Sequence, residues 1–366
     1  MKIAEIIKEI EKVAPRAWQE SWDNSGLQVG NAAVECTGVL IAVDATPGAV
    51  DEAVSLGCNL IVTHHPLFFK GVKRLTGSTP VEVTAINAIA AGVAIYSCHT
   101  PIDSAPAGVS ATMARMLGLE VTRPLVQTAG LYRKLTVMVP RDHAESVRMA
   151  MFDAGAGEIG GYGCCSFNIE GTGTFMAGEG TNPYVGEHGE LHHEAEVAVN
   201  VLVPRWLQGK IVDNMLEAHP YEVPAYEIVD IVNSPAQVGL GVVAHYDEGV
   251  TVAEFTRRVK EAFHSPVVRA TTPYDSDFKI TRVALCGGSA SEFIPDAIAA
   301  GAQVWLCSDM RYHAFVDHAD DIMLMDIGHF ESEECTKDIF YQIITGKFTN
   351  FAVYKSRNEE NPIKYL

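Results

Sequence analysis

Short apolar runs alternate with longer amphipathic segments between residues 38 and 119. The runs have the length and the β-branched content of buried strands, whereas the segments between them have helical spacing and end at glycine. This alternation predicts a sheet that carries helices on its faces. The predicted strands are 38–44, 59–63 and 93–97, and the predicted helices are 47–57, 80–92 and 104–118.

A similar alternation begins near residue 250, and its pattern resembles that of residues 38–119. In both, a helix ends at glycine, a strand follows, and polar groups come directly after the strand. Counting 13 residues from Asp51 reaches His64, and counting 13 from Asp296 reaches Asp309. The pattern therefore indicates an internal duplication. The predicted strands are 282–286, 303–307, 322–327 and 350–355, and the predicted helices are 251–263, 291–301 and 332–346.

The middle of the chain has a different pattern. Between residues 130 and 237 the predicted order is βαββαβ, which is the ferredoxin-like order. We therefore predict an α/β protein in which two similar α/β halves, 1–129 and 238–366, form one domain that is interrupted by this insert. The insert contains the histidine-rich stretch EHGELHHE, which is either a metal site or a solvated loop.

The composition narrows the classes of partner. The 366-residue chain has 27 basic and 46 acidic side chains, and its net charge of −19 argues against general binding to nucleic acids or anionic membranes. No apolar stretch approaches the ~20 residues of a membrane span, and the charged N-terminal segment does not resemble a signal peptide. The eight cysteines include no CxxC pair, so we expect a reduced, cytoplasmic protein.

Four short stretches contain histidine, and three of them also contain carboxylates; open α/β sheets place their ligands where strands end. Within one stretch, His329 and Glu333 are four residues apart, which places both on one face of a helix that starts at 329. His99 and Asp103 have the same spacing, although Pro101 disfavours a regular helix there. The stretches are THHP (63–66), CHTPID (98–103), CSDMRYH (307–313) and GHFESE (328–333).

Two adjacent histidines, His64 and His65, follow the apolar run of the second predicted strand. They either form a polar strand end that faces water or bind metal. If they continue the strand, they point to opposite faces, so two metal ions side by side suit them better than one. Imidazole and carboxylate ligands suit zinc, manganese, iron or nickel, and the choice among these metals stays open.

Together with SWDNSGLQVG (21–30), these stretches resemble the dinuclear metal-centre proteins known as GTP cyclohydrolase 1 type 2 homologues. The resemblance covers the whole chain and includes the long form of the family, whose insert is PII- and CutA-like; HPYEVPAYEI (219–228) carries this part. It implies two divalent metal ions per chain, with zinc first and manganese, iron or nickel as alternatives. It also implies a toroidal homohexamer. The implied metal ligands are His64, His65, Asp103, His329 and Glu333.

The resemblance also implies a function. A water held by two metal ions loses a proton near neutral pH and becomes a nucleophile, so we expect a metal-dependent hydrolase of GTP or a related nucleotide or heterocycle. For GTP, the hydroxide attacks C8 of guanine and ring opening releases formate. His99, Asp309 and His313 are candidates for orienting ligands or transferring protons. The alternative for these three is a structural histidine, a helix-capping aspartate and a surface histidine.

Three further alternatives stay open. GGSAS (287–291) is either an anion-binding loop or a tight turn between strand and helix. SWDNSGL is either a structural turn with a buried tryptophan or the wall of a pocket. The alternative to an enzyme is a non-enzymatic metal-binding or regulatory protein whose PII-like insert senses a small molecule.

Overall fold

The computed structural model describes residues 1–365. The contacts between residues divide the chain into two compact units. The larger unit contains Met1–Gln127 together with Gln237–Leu366, and the smaller unit contains Thr128–Ala236. Each has a hydrophobic core of its own, as expected for a domain. Within the described residues, no helix has both the length and the apolar character needed to cross a bilayer.

Strands and helices alternate along most of the chain. The strands are β1 (Gly26–Val29), β2 (Val39–Ala42), β3 (Leu60–Thr63), β4 (Ala94–Ser97), β5 (Glu120–Gln127), β6 (Tyr132–Pro140), β7 (Ser166–Met176), β8 (Leu191–Pro204), β9 (Tyr226–Asp230), β10 (Gly239–Thr251), β11 (Arg269–Ala270), β12 (Lys279–Ser289), β13 (Val304–Ser308), β14 (Met323–Asp326) and β15 (Val353–Lys355). The helices are α1 (Ile3–Val13), α2 (Pro47–Ser55), α3 (Pro80–Ala91), α4 (Thr100–Asp103), α5 (Val109–Met116), α6 (Ala144–Asp153), α7 (Gln208–Ala218), α8 (Val252–Ala262), α9 (Ile294–Ala299), α10 (Tyr312–Asp317), α11 (His329–Glu333) and α12 (Thr336–Lys347).

The first sheet of the larger unit has the order β1-β4-β3-β2-β15. Its strands are parallel except for β1, which is antiparallel to β4. Every residue of β2, β3 and β4 is buried, which explains why these strands are continuous apolar runs in the sequence. A threonine cap followed by proline sets the start of α2 at Pro47 and of α3 at Pro80.

The second sheet of this unit has the order β11-β14-β13-β12-β10-β5. Here β12, β13 and β14 are parallel, and the short strand β11 is antiparallel to β14. This arrangement repeats that of β2, β3, β4 and β1 in the first sheet. The two similar α/β halves predicted from the sequence are therefore present, and each has the carboxyl ends of three parallel strands at one edge.

Some element boundaries differ from the prediction. The predicted helix 104–118 is observed only as α5, because Gly108 is extended and the helix begins after it; α4 ends before residue 104. The predicted strand 282–286 extends over the whole of β12, so the first residues of GGSAS belong to a strand. The pattern did not predict β5 and β10, which pair with each other antiparallel. Glycines at 239 and 241 weaken the strand propensity of β10.

The smaller unit contains the elements β6-α6-β7-β8-α7-β9 in chain order, which is the predicted βαββαβ order. They form one antiparallel sheet with the strand order β7-β8-β6-β9. Alternate residues of β6, namely Leu135, Val137 and Val139, are buried in a core to which Val147 of α6 and Ile211 of α7 also belong. The two helices therefore supply one layer and the sheet supplies the other.

Candidate metal centre

Histidines and carboxylates converge where the parallel strands of the larger unit end. His64 and His65 directly follow β3, Asp309 directly follows β13, and His329 is the first residue of α11 after β14. The carboxyl ends of the parallel strands of both sheets meet here, so residues that are far apart in the sequence lie close together. A cavity of about 550 Å³ lies at this place, and its walls include His65, His99, Asp103, His329 and Glu333.

A short helix, α4, forms although Pro101 was expected to disfavour a regular helix there. Pro101 lies in the first turn, where the backbone N–H has no partner within the helix and proline is tolerated. The turn brings Asp103 close to His64, with 3.7 Å between Asp103 Oδ1 and His64 Nε2.

Glu333 lies at the centre of the cluster, and its side chain is buried. Its Oε1 is 3.5 Å from His64 Nε2, while its Oε2 is 2.9 Å from His65 Nε2 and 3.0 Å from His329 Nε2. The predicted placement of His329 and Glu333 on one helical face is confirmed by α11. Burial raises the pKa of Glu333, but the surrounding imidazoles lower it well below its usual value.

His64 provides the clearest indication that the cluster suits a metal ion. It is fully buried, burial lowers its pKa to about 4, and we assign its proton to Nδ1, which lies 3.4 Å from the carbonyl oxygen of Cys98. Its Nε2 then presents a lone pair to the carboxylates of Asp103 and Glu333. Within residues 1–365, His64 Nε2, Asp103 Oδ1 and Glu333 Oε2 are buried without a hydrogen bond. Acceptors that face one another are unfavourable unless a cation lies between them, so these residues fit a metal ion.

Two carboxylates orient the other imidazoles of the cluster. Asp44 Oδ1 is 2.8 Å from His65 Nδ1, and Asp309 Oδ2 is 2.6 Å from His329 Nδ1. Although burial lowers the pKa of both imidazoles, the neighbouring carboxylates raise it to about 10 for His65 and about 9 for His329. A carboxylate on Nδ1 directs Nε2 towards the centre, as is typical of metal-binding histidines. Sequence analysis missed Asp44, although it lies just beyond the end of β2.

Asp23 orients His99 and was also missed. Its Oδ1 is 3.0 Å from His99 Nδ1, and its Oδ2 accepts hydrogen bonds from Thr100 Oγ1 at 2.6 Å and Ser25 Oγ at 2.9 Å. The ring centroid of His99 is 5.1 Å from that of His64. His99 therefore lines the same cavity, and the buried carboxylate of Asp23 fixes the orientation of its ring. Asp23 lies in SWDNSGL, whose polar residues were the available signal.

Two exposed aromatic side chains stand beside His99. Trp22 is 60% exposed and Phe69 is 48% exposed, and each ring centroid lies 5.6 Å from that of His99 in an edge-on arrangement. Both line the cavity. The stretch SWDNSGL is therefore a pocket wall and not a turn built around a buried tryptophan.

Two predicted features lie elsewhere or have another role. His313 is exposed on α10 and lines a separate cavity together with Asp309. In GGSAS, Gly288 donates its N–H to Ser332 Oγ at 2.9 Å, so this N–H is not available to an anion. Gly288 has φ +66°, and a Cβ at this position would collide with the carboxylate of Glu333. The glycine therefore allows the close approach of β12 to Glu333.

The histidine-rich stretch of the smaller unit is not a comparable cluster. His188 Nε2 lies 3.0 Å from the carbonyl oxygen of Thr181, and His192 Nε2 lies 2.8 Å from Glu194. Among the described residues, no group of three metal-ligating side chains includes either histidine. Residues 187–190 precede β8 and 191–194 belong to it, so only the first half of the stretch is a loop.

Known proteins resemble this chain over its whole length. The family model described as Duf34/NIF3 (NGG1p interacting factor 3) matches residues 1–362. A protein of Halalkalibacterium halodurans described as a GTP cyclohydrolase 1 type 2 homolog is 36% identical over 336 residues, which covers 90% of this chain and 89% of that protein. The crystal structure of a Bacillus cereus protein related to NIF3 has a TM-score of 0.84 and 34% identity, and covers 100% of this chain and 99% of that one. The crystal structure of the Staphylococcus aureus protein SA1388 has a TM-score of 0.78 and 28% identity. The match covers 100% of this chain and 99% of that one.

Proposed function

This chain belongs to the Duf34/NIF3 family, which confirms the resemblance to GTP cyclohydrolase 1 type 2 homologues, and on that premise we propose that it is a dinuclear metal-dependent hydrolase of a nucleotide or related heterocycle. The observation that carries the proposal is the group of buried acceptor atoms on His64, Asp103 and Glu333 that face one another without hydrogen bonds. A cation between these atoms makes this arrangement favourable in a protein interior.

The proposed ligands fall into two groups on either side of Glu333. One group is His64 and Asp103 with Glu333 Oε1, and the other is His65 and His329 with Glu333 Oε2. Glu333 is therefore the proposed bridging carboxylate. Zinc is the first choice of metal, and manganese, iron and nickel accept the same imidazole and carboxylate ligands.

The side chains around the ligands suit a hydrolytic reaction. Two bound divalent ions supply Lewis acidity and lower the pKa of a water molecule. Asp23 holds His99 through Nδ1, which leaves His99 Nε2 to exchange a proton with a substrate in the cavity. Asp44 and Asp309 keep His65 and His329 turned towards the centre. The cavity of about 550 Å³ has room for a nucleobase beside these groups.

Trp22 and Phe69 favour a planar substrate, because exposed aromatic rings beside a reaction centre offer stacking surfaces for a heterocycle. Stacking of a base on an aromatic side chain is worth ~1–3 kcal/mol. We expect protein loaded with zinc or manganese to release formate from GTP. In Trp22→Ala the KM should rise about tenfold while kcat changes less, since stacking acts mainly on binding. Steady-state kinetics with a formate assay measure both.

The matched control is Tyr162→Ala, because Tyr162 is 77% exposed and belongs to the smaller unit. This variant should keep the KM of the unchanged protein. Absence of turnover on GTP and on the other common nucleotides, with metal bound, would contradict the hydrolase proposal and favour the non-enzymatic metal-binding alternative.

We also propose that the protein is a cytoplasmic, toroidal homohexamer whose insert is a PII- and CutA-like domain, as the family resemblance implies. The particle in solution should then have a mass of about six times 39.6 kDa. Light scattering coupled to size-exclusion chromatography measures this mass. A monomer or dimer at micromolar concentration would refute the hexamer.

A further inference from the structure

The smaller unit contains a cavity of its own, with a volume of about 420 Å³. This volume lies in the range of small-molecule sites. Its walls come from the end of β7, from the segment that follows it, and from the segment between α7 and β9. The residues are Met138, 173–178, 181–184, Glu196, 221–223 and Ala225. All of them lie within 128–236, so the cavity is separate from the metal centre.

Three aromatic rings form one side of this cavity, and we call them the aromatic cage: Phe175, Tyr184 and Tyr221. The ring centroid of Tyr221 is 5.9 Å from that of Phe175 and 6.4 Å from that of Tyr184. The rings thus stand around a common space and do not stack tightly on each other. Tyr184 is held from outside by a hydrogen bond of 2.9 Å between its hydroxyl and His143 Nε2.

The position of Tyr221 is set by the backbone around it. Its N–H donates to His219 Nδ1 at 3.0 Å, and His219 Nε2 donates to the carbonyl oxygen of Met138 at 2.9 Å. Because Nδ1 accepts and Nε2 donates, His219 is neutral in this arrangement. Burial lowers its pKa, which agrees with the neutral form. Hydrogen bonds through His219 therefore connect Tyr221, one member of the aromatic cage, to Met138 of β6.

The polar groups of the cavity are acidic. Glu196 is half-buried in the wall. Because Gly173 has no side chain, the carboxylate of Glu196 can occupy the space beside it. The hydroxyl of Tyr221 is buried without a hydrogen bond of normal geometry, close to Glu196. Glu222 also lines the cavity, but its carboxylate accepts the N–H of Asn182 at 3.0 Å. Among the described residues that line the cavity there is no lysine or arginine.

We propose that this cavity binds a small organic cation, with a substituted ammonium group held between the aromatic cage and the carboxylate of Glu196. Aromatic faces attract cations through their quadrupole, and cages of this kind suit ammonium groups that carry methyl substituents. A carboxylate without a basic neighbour in the wall is complementary to one positive charge. An anionic ligand is disfavoured because both ionisable carboxylates of the wall would repel it.

The test uses the full chain and choline as the probe. Equilibrium dialysis with radiolabelled choline should show saturable binding at one site per chain. The neutral carbon isostere 3,3-dimethylbutan-1-ol should compete at least about tenfold less well, because it has the same shape without the charge. Glu196→Gln should weaken choline binding at least about fivefold, and Tyr221→Leu should weaken it similarly.

The controls separate this site from the metal centre and from general surface charge. Glu170→Gln removes an exposed carboxylate from β7, the strand next to that of Glu196, where it pairs with Arg141, and should leave choline binding unchanged. Glu333→Gln should also leave it unchanged. Three results would overturn the proposal: no saturable choline binding at millimolar concentration, equal competition by the neutral isostere, or equal losses in Glu170→Gln and Glu196→Gln.

Discussion

Replacing Glu333 with glutamine is expected to lower the metal content of the purified protein from about two equivalents per chain to well below one. Glu333 approaches His64 with one oxygen and both His65 and His329 with the other. Glutamine keeps the shape but loses the charge and one of the two acceptor oxygens. Metal affinity should fall at least about a hundredfold, since even residues that only orient ligands are worth 10–100-fold. Elemental analysis of protein purified without chelator or affinity metal measures the content.

Glu334→Gln is the matched control for this prediction. Glu334 is the next residue in the chain, and its carboxylate pairs with Lys337 outside the cluster. This variant should retain the full metal content, and both variants should keep the circular dichroism spectrum of the unchanged protein. If Glu333→Gln retained two equivalents, Glu333 would not be a bridging ligand. If the unchanged protein took up none of the four metals, the proposed chemistry would be excluded.

Replacing Asp23 with asparagine is expected to lower the free energy of unfolding at pH 7 by about 3 kcal/mol. The buried carboxylate of Asp23 accepts hydrogen bonds from His99, Thr100 and Ser25. An asparagine amide would place two N–H donors against these donors and leave some of them unsatisfied. Turnover on any substrate that depends on His99 should also fall, because the ring would lose its orientation. Denaturant unfolding measures the loss of stability.

The pH dependence of this effect has a definite sign. Burial raises the pKa of Asp23, but hydrogen bonds from His99, Thr100 and Ser25 lower it well below its ordinary value. A carboxyl group whose pKa is depressed on folding stabilises the protein above its ordinary pKa of ~3.9, and this contribution is lost as the pH falls. The difference between the unchanged protein and Asp23→Asn should therefore be largest near neutral pH and shrink below about pH 4.

Asp320→Asn provides the control, because Asp320 is exposed. Its unfolding free energy should stay within about 0.5 kcal/mol of the unchanged protein at every pH. If Asp23→Asn lowered the free energy of unfolding by no more than Asp320→Asn does, the carboxylate of Asp23 would not be an important hydrogen-bond acceptor. A loss that stayed constant down to pH 3 would contradict the assigned ionisation.

The alternation of apolar runs and amphipathic segments was enough to predict most elements near their observed positions. It succeeded for β2, β3 and β4 because a fully buried parallel strand must be apolar at every position. The order βαββαβ of the smaller unit was predictable for a related reason: β6 alternates buried and half-buried residues, and the helices beside it have helical spacing. β10 was not predicted, because glycines interrupt its apolar pattern.

The proposed ligands were recognisable because each lies within a short motif at or just beyond the end of a strand. The residues that orient them were not. Asp44 is a single aspartate, and nothing in its immediate sequence distinguishes a carboxylate that contacts a histidine from one that faces water. Asp23 lies in the noted stretch SWDNSGL, but that stretch does not show which residue its carboxylate contacts. Asp44 lies 21 positions before His65, and Asp23 lies 76 positions before His99. Such pairs become visible only when the sheet brings the strand ends together.

The sequence alone therefore determined the element types, the two similar halves and the residue types at the strand ends, because these depend on local periodicity and on the chemistry of single side chains. Tertiary structure decided which histidine nitrogen faces which carboxylate oxygen, that Glu333 lies between two groups of ligands, and that His313 lies outside the cavity. It also decided that Gly288 admits the Glu333 carboxylate. These features depend on distances between residues up to 269 positions apart, as for His64 and Glu333, and such distances are set by strand order and register rather than by local sequence.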